Sequence, residues 1–451
     1  MDLGIVGGTL VTPSAVFRGD LYIAQGRIAA ISSDRLPAAR TIEADGLHVL
    51  PGVVDSHVHF MDPGAPERED FTTGSAAAAV GGVTTVIEHT HAHPVVDAEA
   101  LREKAAYLRD RSLVDFGLGA HVWPDRLDEL AGVWAAGALL LKAFTCTTHG
   151  IPGILPGDLL RLFRQVAAID AVCLVHCEDE FITADAERRL KAAGRTDPGI
   201  LPAWRSREAE LVATATVVLL ARLTGARVVV AHASHPAVVD LVTREAGLGA
   251  RVWAESCPQY FHLNEDEVLS HGSFRKFTPP ARARSPEDAA QMWQRLRQGG
   301  IAYVATDHAP ATRAQKQEGD IWQVHFGLPG VETTLPLMLN AVHDGHLTLQ
   351  RLVEVLAEMP ARLYGVYPRK GTLQIGADAD LTIVDLSGER VLRDEDVVSK
   401  AGWTPYAGRR LHGQVVMTLV RGRVVAQGGK PVTEPGWGRW IHGRHYPESP
   451  P

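Results

Sequence analysis

Cysteine is scarce. Four residues in a chain of 451 cannot form the dense disulfide framework of a small secreted domain. Cys173 and Cys177 form a CxxxC pair on a strand-like run, and they read as buried free thiols rather than ligands. Positive charge is also in short supply. Lys and Arg number 45 against 53 Asp and Glu, a net charge of −8. That balance argues against a nucleic-acid surface, which needs a basic face, and does not favour anionic membranes. No run of about 18 apolar residues occurs, so no membrane span is expected. The N-terminus has no basic stretch ahead of an apolar one, and a signal peptide is not expected. The expected location is the reducing cytoplasm. No GxGxxG follows any strand-like run, and no internal repeat or low-complexity linker stands out.

What remains is an ordinary globular composition, 45% hydrophobic and 22% charged, long enough for more than one compact unit. Residues 1–50 are short strand-like pieces broken by Gly7-Gly8 and Gln25-Gly26, and similar pieces return at 380–385, 415–421 and 423–426. These imply one β-sandwich made from both termini, residues 1–50 plus 371–451. Between them, at 51–370, apolar β-branched runs alternate with helical stretches. Strands are expected at 49–54, 83–87, 115–121, 138–143, 171–175, 227–231, 250–254 and 301–305. Helices are expected near 70–81, 97–110, 126–136, 157–169, 203–224, 235–246 and 285–298. Eight such units predict an α/β fold of (β/α)8 TIM-barrel type. An open doubly wound sheet is the alternative, weakened by the missing glycine motif. The stretch 150–157 reads as a loop and Tyr446 to Pro451 as a frayed tail.

In a barrel, chemistry lies at the carboxyl ends of the strands. There the sequence places His57 and His59, Lys142, His176, His232 and Asp307. His57 and His59 are two apart on a strand, so they share a face, roughly 7 Å apart along the backbone. Singly, each residue has a plain explanation: a hydrogen-bonding histidine, a surface lysine, a capping aspartate. Six metal-compatible groups at five corresponding positions point to a metal site.

The segments PGVVDSHVHFMDPG (51–64), GGVTTVIEH (81–89), LLLKAF (139–144), LVHCEDE (174–180), VVVAHASHP (228–236), ESCPQYF (255–261), KFTPPAR (276–282) and ATDHAP (305–310) together resemble the amidohydrolase superfamily. The likeness is to its cyclic amidohydrolase branch of dihydroorotases, hydantoinases, dihydropyrimidinases and allantoinases. It covers nearly the whole chain, and GADADLTIVD (376–385) resembles that family's return strand into the sandwich.

The resemblance implies two divalent metal ions, with zinc expected. His57 and His59 would bind the first and His176 and His232 the second. Lys142 would be N6-carboxylated and bridge both, since an ammonium with a pKa near 10.4 would repel them. Asp307 would bind the first ion and shuttle the proton. A water shared by the ions would attack a ring amide carbonyl as hydroxide and open the ring. The implied enzyme cleaves the C–N bond of a small cyclic ureide or imide, not a peptide bond, and acts as a homo-oligomer, a tetramer or dimer.

Within that branch the chain departs from several patterns. Met61 stands where dihydroorotases carry a carboxylate-gripping arginine, and where allantoinases usually carry asparagine. Glu88-His-Thr-His91 replaces an asparagine loop. No tyrosine follows Lys142, as it tends to in hydantoinases. The remaining pattern is nearest to allantoinases, with dihydroorotase-type and dihydropyrimidinase-type activity as alternatives. An apolar Met61 in the pocket implies a less polar ring substituent. His91 is expected to face the substrate, with His89 and His93 as loop structure. Thr278 and the backbone of 327–330, Gly330 included, are further substrate candidates, although 327–330 is equally an ordinary turn. Arg313, Lys316 and the segment to Asp320 read as a lid or a solvated loop.

Two other classes compete. Non-catalytic dihydropyrimidinase-related scaffolds tend to lose metal ligands, and this chain keeps all six. Mononuclear deaminases of the superfamily usually lack the strand-4 lysine.

Overall fold

The computed structural model describes residues 1–443 and 445; the expected tail, Tyr446 to Pro451, lies outside the described residues. Eight parallel strands lie side by side in chain order: Val53–Val58, Val83–Glu88, Asp115–His121, Leu140–Phe144, Val172–His176, Arg227–Val230, Val252–Ser256 and Tyr303–Val304. The ring closes where Val58 pairs in parallel with His308 and the His59 N–H donates to the His308 carbonyl at 2.7 Å. This is a (β/α)8 barrel. Its strands are buried almost throughout, because helices cover one face and neighbouring side chains fill the other. That is why they read as continuous runs such as Val228-Val-Val and Leu139-Leu-Leu.

The expected helices form with shifted ends, among them Phe71–Val80, Pro156–Ala168, Arg207–Thr224 and Pro286–Arg297. Short polar side chains start several of them: Asp70 accepts from the Thr73 N–H and Ser206 from the Ala209 N–H. Several helices were not expected, Glu180–Ala192 and Thr334–His343 among them. Glu180–Ala192 buries only Thr183 and Ala186, so it carries no apolar stripe for a sequence reading to detect.

The first strand differs most from expectation. The run read as one strand, 49–54, is split between two sheets. His48–Pro51 pairs with Leu381–Val391 in the sandwich, and the barrel strand begins at Val53. Gly52 makes the crossing. A Cβ there would stand 2.2 Å from Thr84 Oγ1, so only glycine lets the chain pass so close to the second strand. The barrel strand therefore runs to Val58 and contains His57.

The sandwich joins a four-stranded N-terminal sheet to a seven-stranded sheet drawn from both ends of the chain. Leu3, Ile5, Leu21 and Ile23 from the first pack with Leu10, Val49, Leu381, Ile383 and Leu419 from the second. At about 1.5–3 kcal/mol per fully buried aliphatic side chain, this contact holds the termini together.

Beneath the barrel, Lys370 is fully buried among Asp115, Asp380 (2.7 Å) and Asp378 (2.9 Å), and Arg421 pairs with Asp115. Burial opposes the Lys370 charge, but the three carboxylates outweigh it and hold the ammonium above its ordinary value. Those carboxylates converge closely enough to suggest a cation site, and the ammonium and guanidinium already fill that role. The cluster ties the start of the third barrel strand to the sandwich.

Candidate metal centre

Six side chains from five strands meet at the carboxyl end of the barrel. His57 and Lys142 lie within their strands, His176 ends its strand, and His59, His232 and Asp307 lie just past theirs. His232 and Asp307 hold φ of 38° and 50°. Such left-handed positions cost of order 1–3 kcal/mol in a non-glycine residue, and here both side chains line the central cavity.

Lys142 Nζ is 3.2 Å from His57 Nε2. Asp307 Oδ1 is 3.2 Å from His57 Nε2 and 3.4 Å from His59 Nε2. Across the cavity His176 Nδ1 is 2.9 Å from His232 Nε2. The four imidazoles and Lys142 are buried, while the Asp307 side chain keeps 13% of its surface. Burial pushes the His57, His176 and His232 rings down toward the neutral form. Burial also lowers Lys142, against the pull of Glu255 and Asp307. Neutral ring nitrogens facing one another beside a carboxylate form a donor set suited to divalent ions, not to hydrogen bonds among themselves.

Behind these groups stand anchors that the sequence reading missed. Glu255 Oε1 is 2.6 Å from His57 Nδ1 and accepts the His232 N–H at 3.0 Å, while its Oε2 accepts from Tyr303 at 2.6 Å. Glu178 Oε2 is 2.9 Å from His176 Nε2 and accepts from Arg205 at 3.2 Å. His59 Nδ1 reaches the His89 carbonyl at 2.9 Å. These contacts fix which nitrogen of the His57, His59 and His176 rings faces inward, which metal-ligating histidines require. Glu255 lies in the seventh strand one residue past the expected end at 254, so a charge inside an apolar strand was the available signal.

The cavity measures about 360 Å³ including its mouth, and is lined by the six residues with His91, Phe144, His149, Thr278, Phe326 and Gly327 among others. His91 stacks on His149 at 4.3 Å and 22°. Thr278 Oγ1 donates to Glu178 at 2.6 Å. Gly327 has φ 115°, and a Cβ on it would strike the Ala309 carbonyl. Two expected contacts lie elsewhere. Met61 is fully buried beside Thr90, whose hydroxyl meets its sulfur at 3.4 Å, and it does not line the cavity. Its φ of 58° turns the chain away after His59, so Met61 says nothing of a ring substituent. Gly330 also stands back, its N–H donating to His308 Nδ1 at 3.0 Å. His89, read as loop structure, is buried against His57 and His59. Lys316, read as part of a lid, is fully buried and donates to the Lys276 and His325 carbonyls.

Residues 48–425 match the model of the amidohydrolase family. The chain belongs to that family. It is 37% identical to an L-hydantoinase of Paenarthrobacter aurescens, with 99% of each chain covered. It is 36% identical to an allantoinase of Rubrobacter xylanophilus, covering 98% of this chain and 97% of that one. The solved structure of an L-hydantoinase (dihydropyrimidinase) from Arthrobacter aurescens superimposes with a TM-score of 0.93 at 36% identity, covering 98% and 99% of the two chains. These relatives put the amidohydrolase in the cyclic amidohydrolase branch, among hydrolases of ring amide bonds. No helix among the described residues is long and apolar enough to cross a membrane.

Proposed function

We propose that this amidohydrolase opens the amide bond of a cyclic ureide or imide, in the manner of a hydantoinase or allantoinase, using a binuclear site. The convergence of Lys142 with four imidazoles and Asp307 in one cavity carries the reading. His57 and His59 would hold one divalent ion and His176 and His232 the other, with zinc as the expected metal. Lys142, as its carbamate, would supply an anionic ligand to both. Its buried amine is biased toward the neutral form, which is the form that adds carbon dioxide. The resulting anion suits two cations where an ammonium would not. When bound, the ions supply a water of lowered pKa and polarise the carbonyl under attack.

Asp307, the most exposed of the six at its side chain, takes the proton from the attacking water and gives it to the leaving ring nitrogen. Glu255 and Glu178 keep the imidazoles aimed. The His91–His149 stack with Phe144 and Phe326 offers the substrate flat, apolar walls, which favours a planar or apolar ring substituent over a ureido group. The four cysteines are buried and unpaired, in keeping with a reducing compartment, and a cytoplasmic homo-oligomer is proposed. The test is a panel of allantoin, 5-alkyl and 5-aryl hydantoins, dihydrouracil, dihydroorotate and cyclic imides on protein of known metal content. Hydrolysis of a 5-aryl hydantoin ahead of allantoin supports the wall argument. Clear preference for allantoin reverses it, and no ring opening by zinc-loaded protein rejects the reading.

A further inference from the structure

His89 follows the second barrel strand, Val83–Glu88, which contributes nothing to the six-residue set. None of its surface is exposed. The Ser56 carbonyl faces its ring, yet neither ring nitrogen makes a hydrogen bond of ordinary geometry with any described residue. A buried imidazole in that condition has an unused lone pair.

The ring has close company. Its centroid lies 4.7 Å from that of His57 and 4.8 Å from that of His59. One ring nitrogen from each of the three falls within 4.8 Å of the other two. With the donors already assigned to this ion, a six-ligand set at about 2.1 Å puts neighbouring nitrogens about 3.0 Å apart, so side-chain shifts of about 1 Å on each side close the set. The main chain already joins two of them, since the His89 carbonyl is 2.9 Å from His59 Nδ1. That tie survives any change of the His89 side chain.

We propose that His89 is a further ligand of the ion held by His57 and His59. The inference rests on the binuclear reading and adds a donor from the second strand. His121 serves as the comparison: it is equally buried, both its ring nitrogens lack partners, and its ring lies 6.4 Å from that of His89.

The experiment strips the metal from the full chain and titrates zinc against a coloured chelator and cobalt by visible absorption. It uses the wild type, His89→Phe and His121→Phe. His89→Phe is expected to weaken one of the two bound ions at least tenfold and to shift the cobalt bands, with His121→Phe matching wild type. Unchanged affinities and superimposable cobalt spectra for His89→Phe overturn the proposal, as does an equal loss in His121→Phe. Should His89→Phe not fold, anomalous scattering from zinc-loaded wild-type crystals decides. A His89 nitrogen within about 2.3 Å of an ion supports it, and a separation above about 3 Å overturns it. Wild type that binds no ion rejects the binuclear reading and this proposal together. Wild type that binds two ions and opens rings, with His89→Phe unaffected, rejects this proposal alone.

Discussion

Glu255 and His57 sit 2.6 Å apart, carboxylate to Nδ1, with both side chains buried. One carboxylate thereby aims His57, and through the His232 N–H it also steadies the turn that carries a second ring. Replacing it with the uncharged Glu255→Gln keeps the shape and weakens both ties. Metal affinity is expected to fall by about 10- to 100-fold, read by chelator competition, with the fold retained by circular dichroism. Undiminished affinity would show that the contact does no more than fill space.

Asp307 separates binding from turnover. Asp307→Asn should still take up metal, because the other five donors remain, while ring opening falls by at least about 10² to 10⁴ as the proton carrier is lost. Metal content and kcat measured on the same sample check this. Near-normal kcat would reject the shuttle role.

The cluster around Lys370 bears on stability and not on chemistry. Lys370→Met leaves Asp115, Asp378 and Asp380 facing one another in a buried place, which should cost about 3–5 kcal/mol. Denaturant unfolding should move accordingly while kcat/KM of the folded fraction stays the same. An unchanged midpoint would mean that water or a neighbouring group replaces the ammonium.

His262 provides a pH signature away from the site. Burial, with Arg409 and His346 adding to it, pushes its ring down to about 3 from an ordinary 6.5. The unfolded chain therefore takes up a proton near pH 6.5 that the folded chain refuses until about pH 3. Stability tied to this group is complete above pH 6.5 and is lost as pH falls toward 3, at up to about 1.4 kcal/mol per pH unit. His262→Phe, packed against Trp293, should flatten that part of the profile between pH 6.5 and 4.5. Parallel profiles for the two proteins would contradict it.

Much of this was legible in the sequence because barrel strands are buried on both sides and end in chemistry. The runs leading to Lys142, His176 and His232 are apolar until the functional residue, so period and position agree. What was not legible depended on contacts between distant segments. Gly52 splits one apolar run between two sheets because Thr84 leaves no room for a side chain. Met61 looked like a pocket residue from its offset after His59, and only the left-handed turn there takes it out of the cavity. Glu255 and His149 act through partners up to about two hundred positions away, and no local pattern marks such partners. Lys316 read as solvent-facing because charge usually is, whereas its ammonium is satisfied by two carbonyls inside the fold.

A two-ion site depends on the state of Lys142. Protein purified with bicarbonate and zinc, analysed by metal quantitation and by intact and peptide mass under conditions that preserve carbamates, should carry about two ions per chain and one added carbon dioxide on Lys142. Unmodified Lys142 in active, fully metallated protein, or a single ion that supports full turnover, would contradict it.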